Sequence, residues 1–346
     1  MNSLTRRVFL GVSLGLLIAT VSNFNADAQN VRITGSGASF PFPLYSVWFQ
    51  EFGRLNRGIR IDYQSVGSGA GVQALINRTV DFAASDSAMS DEQIAQVKGG
   101  VLILPMTAGT IVFAYNLRGV TELKLPREIY PLIFTGAVSR WNDPRIVAAN
   151  PGVKIPDLGI TVVRRSDSSG TTYVFTRHLS AISPDFKSQM GVGTTVQWPS
   201  LPNFVGAPRN DGVTATVMQT PGAIGYVEYG FAKMGNLPMA LVQNKDGKFV
   251  AADAKTGAAA LASADLSGKD LRIWVEDPPG ADAYPISTLT WMLFFRNLER
   301  PAVTAGLRKM VEWAITDGQK MSEKLGYVPL PDVVIKRVQA EIPNIQ

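Results

Sequence analysis

The sequence predicts an α/β fold with mostly parallel sheets. Short runs rich in β-branched and apolar residues alternate along the chain with amphipathic stretches whose apolar residues recur at helical spacing. The composition is that of an ordinary globular protein, with 46% hydrophobic and 18% charged residues among 346, which is enough apolar material for two domains. We find no internal repeat and no long polar linker, so two domains would be joined by chain crossings rather than by a flexible segment.

Residues 1–28 have the plan of a removable export signal. Two arginines precede an apolar run at 8–21, which is too short to cross a bilayer because a spanning helix needs about 20 residues. Polar residues follow, and then Ala-Asp-Ala at 26–28, as at a cleavage site. Residues 5–10 also fit the twin-arginine signal, with a general secretory signal as the alternative. We expect the mature chain to begin near Gln29.

Cysteine is absent and the charge is mildly positive. Without cysteine, a disulfide, a thiolate metal site, a cysteine nucleophile and a cysteine-linked lipid anchor are all excluded. The formal net charge of +5 is too small to predict nucleic-acid binding. We therefore expect an exported, soluble, unanchored protein held in a periplasm.

The first part of the mature chain is predicted as alternating strands and helices. Strands are predicted at VRITGSG (31–37), IRIDYQSVG (59–67), VDFAASD (80–86), VLILPM (101–106) and TIVFAYNL (110–117). Helices are predicted at PLYSVWFQEFGRLN (43–56), AGVQALINR (70–78) and SDEQIAQV (90–97). The first helix should bury Leu44, Val47, Trp48 and Phe52 on one face, and Ser90 should cap the third.

The same alternation continues to the end of the chain. Strands are predicted at GITVVRRSD (159–167), AIGYVEY (223–229) and YPISTLTWMLFF (284–295), the last as a long strand or a strand pair. Helices are predicted at TTYVFTRHLSAI (171–182), GVTATVMQT (212–220), 301–326 and PDVVIKRVQAEI (331–342).

Three places combine a strand end, a turn rich in glycine and hydroxyl groups, and a helix start. They are TGSGASFPF (34–42), SVGSGAGVQ (65–73) and SSGTT (168–172). The first N–H groups of a helix have no partner within the helix, and the helix dipole favours negative charge there, so each turn could hold an oxyanion. Any one of them alone is more simply a helix cap. Three together, with Arg165 and its planar fork of donors beside one, favour an anion site.

Two acidic residues stand among these donors. The ordinary interpretation of Asp86 is a turn or cap residue, and that of Asp167 is a salt bridge that fixes the guanidinium of Arg165. A sharper hypothesis applies to Asp86. Its carboxylate would repel a bare dianion such as sulfate but could accept the proton of monohydrogen phosphate.

Enzyme motifs are scarce. The sequence lacks a phosphate-binding P-loop, a full dinucleotide fingerprint, a G-x-S-x-G nucleophile motif and any histidine cluster or metal loop. The single histidine, His178, lies nine residues along a predicted helix from Ser169, so we interpret it as a surface or packing residue. The enzyme alternative would be a phosphomonoesterase or serine hydrolase with Ser39 or Ser169 as nucleophile, assisted by His178 or Asp167.

The mature chain resembles, nearly end to end, the periplasmic phosphate-binding proteins of phosphate ABC transporters. The stretches that carry the resemblance are GSGASFPFPLY (35–45), VGSGAGV (66–72), VDFAASDSAMSDEQ (80–93), VVRRSDSSGTTYVFT (162–176), NDGV (210–213) and PGAIGYVEY (221–229). This resemblance implies a two-lobe periplasmic binding protein fold of type II. Each lobe would be a mostly parallel sheet flanked by helices, and two strands would cross the hinge.

The implied division is a signal peptide at 1–28, the first part of lobe I at 29–112, lobe II at 113–285 and a return to lobe I at 286–346. The candidate crossings are TIVFAYNL (110–117) and YPISTLTWML (284–293).

The resemblance also implies a binding site rather than a catalytic one. The implied phosphate contacts are Ser39, the backbone N–H of Phe40, Ser68, Asp86, Arg165, Ser169, Gly170 and Thr171, with Asp167 pairing with Arg165. Ser168 has no role that we can assign. The implied partners are inorganic phosphate and the membrane permease subunits of a phosphate ABC transporter, with no cofactor, no metal and a monomeric state. Arsenate, sulfate or an organic phosphate are the alternative ligands.

Overall fold

The structure is a computed structural model that describes residues 30–265, 268 and 270–346. The predicted export signal lies outside these residues. Within them, no helix combines the length and the apolar character that a membrane crossing requires.

Strands and helices alternate through most of the chain, as the sequence predicts. In chain order the elements are β1 (Val31–Gly37), α1 (Phe42–Leu55), β2 (Ile59–Ser65), α2 (Ser68–Ile76), β3 (Phe82–Ser85), α3 (Asp91–Ala95), β4 (Val101–Tyr115), β5 (Lys124–Leu125), α4 (Tyr130–Thr135), α5 (Pro144–Ala149), β6 (Thr161–Arg165), α6 (Gly170–Ile182), α7 (Pro184–Gln189), β7 (Phe204–Ala207), α8 (Arg209–Gln219), β8 (Ala223–Glu228), α9 (Tyr229–Met234), β9 (Leu241–Gln243), β10 (Phe249–Val250), α10 (Ala254–Leu261), β11 (Ser287–Phe295), α11 (Pro301–Ala314) and α12 (Asp332–Glu341).

The large strands of the described chain form one sheet in the order β2-β1-β3-β11-β4-β8-β6-β7. Its two ends are parallel: β2, β1 and β3 at one end, and β7, β6 and β8 at the other. The middle strands β11 and β4 pair antiparallel with their neighbours. The protein therefore has an α/β fold with two lobes, each built on one parallel end of the sheet. A small sheet, β10-β9-β5, lies apart from it.

Strand β4 connects the two lobes. Nine of its first ten residues, 101–105 and 107–110, pair with β11, and its last five, Ile111–Tyr115, pair with β8. All fifteen residues are buried. The sequence predicted two separate strands here, which is wrong. The interruption is only a bulge opposite Thr290 and Trp291, where the register shifts and Pro105, which has no N–H to give to the ladder, is accommodated.

Two other details differ from the sequence prediction. In α1 the buried side chains are Leu44, Tyr45, Trp48, Phe49 and Phe52, whereas Val47 is 37% exposed, because the core face is centred on the line through residues 45, 48, 49 and 52. The segment 301–326 is not helical throughout. The helix α11 ends at Ala314, and short 3₁₀ turns follow at Asp317–Met321 and Glu323–Leu325. The exact lobe boundaries at 112/113 and 285/286 stay predictions.

Candidate functional site

The first lobe supplies four of the predicted site residues from the turns after its parallel strands. Ser39 and Phe40 follow β1, Ser68 is the first residue of α2, and Asp86 follows β3 directly. Each of them is at most 1% exposed. Ligands of α/β proteins bind at the carboxyl ends of the strands, which is where these residues lie.

The second lobe supplies the others from a single turn between β6 and α6. Arg165 is the last residue of β6, Ser169 is the N-cap of α6, and Gly170 and Thr171 begin that helix. Ser169 caps the helix by accepting a hydrogen bond from Thr172 N–H at 3.0 Å. This leaves the N–H groups of Gly170 and Thr171 without intrahelical acceptors.

The two groups of residues meet in one buried cluster. A Cβ atom placed on Gly170 would lie 2.4 Å from Ser68 Oγ and 2.7 Å from both Cβ and Oδ2 of Asp86, so only glycine permits this approach. The N–H of Gly69 also donates to the carbonyl of Ser168 at 3.0 Å. The backbone of Ser168, which had no assigned role, is therefore a contact between the lobes.

Arg165 is held by Asp167. Its Nε and Nη2 donate to the two carboxylate oxygens at 2.7 and 2.5 Å. Burial alone would raise the pKa of Asp167, but the hydrogen bonds and charge of Arg165 and the N–H of Arg209 outweigh it and hold that pKa below its usual range. The remaining nitrogen, Arg165 Nη1, is buried and has no protein partner. A buried guanidinium with one free donor fits an anionic acceptor.

The hydroxyl oxygens of Ser39 and Ser68 accept hydrogen bonds from N–H groups of the protein. Ser39 Oγ accepts from Asn210 N–H at 3.2 Å and from Asn210 Nδ2 at 2.9 Å. Ser68 Oγ accepts from the N–H of Asp86 at 3.2 Å. A hydroxyl that accepts from the protein still has one proton of its own to donate. The Ser68 hydroxyl also interacts with the carboxylate of Asp86 and lowers its pKa.

Comparison with known proteins places this chain in a family. A family model described as "PBP superfamily domain" matches residues 24–317. The phosphate-binding protein PstS of Pasteurella multocida is 38% identical over 94% of this chain and 94% of its own. The chain belongs to the family of periplasmic phosphate-binding proteins.

Other phosphate-binding proteins are also similar to this chain over most of its length. The phosphate-binding protein PstS of Haemophilus influenzae is 37% identical over 91% of this chain and 93% of its own. Among solved structures, a high-affinity periplasmic phosphate-binding protein bound with phosphate has a TM-score of 0.75 at 22% identity, covering 90% of this chain and 94% of that one. The phosphate-binding protein of Stenotrophomonas maltophilia has a TM-score of 0.69 at 21% identity, with 90% and 94% coverage. At these identities the structures establish the shared fold.

Within this family fold, Asp86 has an unusual electrostatic environment. Burial raises its pKa to about 7, against the hydrogen bond from Thr290 and the charge of Arg165, which lower it. A carboxyl group that changes charge near neutral pH can either accept or donate a proton in this cluster.

Two residues at the site were not among the predicted contacts. Asn210, the second residue of α8, donates to Ser39 and also to Thr171 Oγ1 at 3.3 Å, and so joins the lobes. Thr290, on β11, donates to Asp86 Oδ1 at 2.8 Å. Asn210 opens the NDGV stretch, which already carried the family resemblance and was therefore a usable signal. Thr290 lies inside an apolar strand, where sequence alone gives it no distinction.

His178 is a packing residue. Its Nε2 lies 2.8 Å from the Tyr130 hydroxyl and its ring stacks on that of Tyr130, while burial lowers its pKa to about 3. It is therefore neutral and engaged elsewhere, as we expected for a packing role. In residues 30–265, 268 and 270–346, no three His, Asp or Glu side chains gather as metal ligands.

Proposed function

We propose that this protein binds inorganic phosphate in the periplasm and delivers it to an ABC importer. The observation that carries the proposal is the free, buried Nη1 of Arg165, which lies in a cluster of hydroxyl and N–H donors drawn from both lobes. Burying a dianion is costly unless its oxygens find donors, and this cluster offers them without a mobile counter-ion.

Phosphate fits the cluster better than sulfate because of Asp86. Monohydrogen phosphate carries a proton that the carboxylate can accept, whereas sulfate at neutral pH has none and would face the carboxylate as an unpaired acceptor. In this scheme the phosphate oxygens accept hydrogen bonds from hydroxyl groups, from backbone N–H groups and from the guanidinium of Arg165. The hydroxyl donors are Ser39, Ser68 and Ser169, and the N–H donors are Phe40, Gly170 and Thr171. Asp167 aims the guanidinium.

The site is built for binding and not for turnover. Neither Ser39 nor Ser169 has a histidine base, since His178 is bonded to Tyr130. The two lobes instead surround a ligand that both must contact, so that release requires opening. A monomer with a lobe-spanning cluster could present one surface to permease subunits when the ligand is in place. The curated relatives carry the name of phosphate-binding proteins, which supports this role.

Isothermal titration of the purified mature protein with phosphate and with sulfate, both at pH 7.5, tests the proposal. We expect phosphate to bind at least about a hundredfold more tightly, which corresponds to roughly 2.7 kcal/mol. Equal affinities for the two anions would contradict the proposed function. Native mass spectrometry of the freshly purified protein checks independently which anion it carries.

A further inference from the structure

Strand β11, which pairs with β3 and β4, carries a threonine that touches the acidic residue of the site. Thr290 is fully buried and its Oγ1 donates to Oδ1 of Asp86 at 2.8 Å. It lies at the bulge between β11 and β4, where the register shifts after Thr290. Bulges commonly redirect a side chain at a functional site.

The two oxygens of Asp86 have different surroundings. Oδ1 takes the hydroxyl proton of Thr290. Oδ2 points toward the start of α6, since a Cβ on Gly170 would lie 2.7 Å from it. Because a threonine has one hydroxyl proton, this bond engages Oδ1 and fixes the orientation of the carboxylate. The hydroxyls of Thr171 and Ser68 also act on this carboxylate, and each lowers its pKa less than Thr290 does.

We propose that Thr290 is a positioning residue for the anion site: it holds Oδ1 of Asp86 so that Oδ2 is presented to accept the proton of bound phosphate. This inference rests on the proposed function and adds a residue from strand β11 to it. In this proposal Thr290 acts on the ligand through Asp86.

The same hydrogen bond favours the ionised carboxylate. Burial raises the pKa of Asp86 to about 7, and the bond from Thr290 is the foremost influence that lowers it, followed by the charge of Arg165. Four further buried titratable groups face Asp86, and its negative charge helps to raise the pKa of each: Tyr45, Tyr63, Glu228 and Tyr327. Loss of the Thr290 hydroxyl should therefore raise the pKa of Asp86.

This has a measurable consequence for selectivity. Below its pKa, Asp86 carries a proton that must leave before it can accept one from phosphate, so the preference for phosphate falls as the pH falls through that pKa. A protonated carboxyl can instead donate to sulfate. The ratio of phosphate affinity to sulfate affinity thus rises with pH, and the titration of phosphate itself is the same for every variant.

The experiment measures both affinities by isothermal titration from pH 6 to pH 9 for the wild type, T290V, T290S and T288V. We expect T290V to lower the phosphate-to-sulfate ratio at pH 7 about tenfold and to move the midpoint of its pH profile upward by about one unit. T290S keeps a hydroxyl and should restore the wild-type midpoint. T288V is the matched control, because Thr288 is equally buried on the same strand but donates to the carbonyl of Leu289.

The outcomes separate the two ideas. If the wild type prefers phosphate and T290V has the same midpoint and the same affinity ratio as the wild type, the role of Thr290 is overturned and the proposed function stands. A wild type without preference overturns the proposed function. Circular dichroism checks folding, and if T290V is unfolded, T290A replaces it with the same expectation.

Discussion

At the scale of single residues, the pairing of Arg165 with Asp167 explains why an acidic residue stands in an anion site. The carboxylate takes two of the donors of the guanidinium and leaves Nη1 free. The pair is almost completely buried on the arginine side, whose side chain is 1% exposed, whereas Asp167 is 18% exposed. A guanidinium fixed in this way loses little entropy on meeting an oxyanion.

Replacing Arg165 with alanine should weaken phosphate binding by about 2–5 kcal/mol, because a buried anion loses a charge-assisted donor and Asp167 is left unpaired beside it. Isothermal titration measures the change. The control is R164A, which removes the same charge from the neighbouring residue, whose guanidinium instead donates to the carbonyl of Arg165. Equal losses in both variants would mean that only the overall positive charge matters.

Replacing Asp86 with asparagine should relax the discrimination between phosphate and sulfate about tenfold or more, since it removes the negative charge that repels sulfate and adds an amide donor. Competition of the two anions for the variant, followed by titration calorimetry, gives the ratio. Unchanged selectivity in a folded D86N protein would assign the preference to the shape of the site.

At the scale of elements, the N-terminus of α6 is the part of the second lobe that reaches the first. Gly170 has Ser68 and Asp86 directly against its backbone, so the helix start and the turns after β2 and β3 are in contact. Gly67, which precedes α2, has a φ of 97° and lies against Asp167, so a side chain there would both be strained and clash.

A G170A variant should bind phosphate at least about tenfold more weakly, because its Cβ would hold the two turns apart. The added Cβ also overpacks a buried contact, so the variant should be less stable than the wild type without phosphate as well. Titration calorimetry and thermal unfolding together make the test. The control G53A places its Cβ in α1 with only the carbonyl of Ile59 nearby, at 3.5 Å, and should bind as the wild type does. Wild-type affinity in G170A would mean that the turns need not touch.

The long elements were predictable because their patterns are strong. The strands β1, β2, β3, β6, β8 and β11 and the helices α1, α2, α6, α8 and α12 lie where the apolar periodicity put them. The short strands β5, β9 and β10 and the short helices α4, α5 and α7 were not predicted. Two- or three-residue strands and six-residue helices are stabilised by their neighbours, so they leave little periodic signal.

At the scale of the whole molecule, a second buried carboxyl links the lobes. Glu228 ends β8, and its N–H donates to Asn210 Oδ1 at 3.0 Å. Its Oε2 lies 3.3 Å from the hydroxyl of Tyr327, which donates to the carbonyl of Phe40 at 2.6 Å. Burial raises the pKa of Glu228 to about 8, although the N–H of Gly230 lowers it. The folded protein therefore holds this proton at neutral pH.

A folded-state pKa above the unfolded value means that the folded state binds the extra proton, so stability from this group is present at low pH and is lost as the pH rises toward about 8. Burial raises the pKa of Asp86 as well, so both carboxyl groups contribute to the fall in stability with rising pH. Between pH 6 and pH 8, the free energy of unfolding of an E228Q variant should fall by roughly 2–3 kcal/mol less than that of the wild type.

Urea unfolding at several pH values, without phosphate, measures this difference. The variant E122Q changes a glutamate with a 65% exposed side chain and should keep the wild-type slope. Parallel slopes for E228Q and the wild type would show that Glu228 is charged in both states.

The sequence by itself determined the α/β class, the three donor-rich turns and the chemistry of the arginine and acidic residues, because these depend on local periodicity and on side-chain type. It could not decide which donors meet, since the contacts of Asn210 with Ser39 and of Thr290 with Asp86 join residues 171 and 204 positions apart. The first contact exists only once β4 joins the lobes, and the second only once β11 pairs with β3. The burial that moves the pKa of Asp86 to about 7 likewise arises from packing across the lobes, which no local pattern encodes.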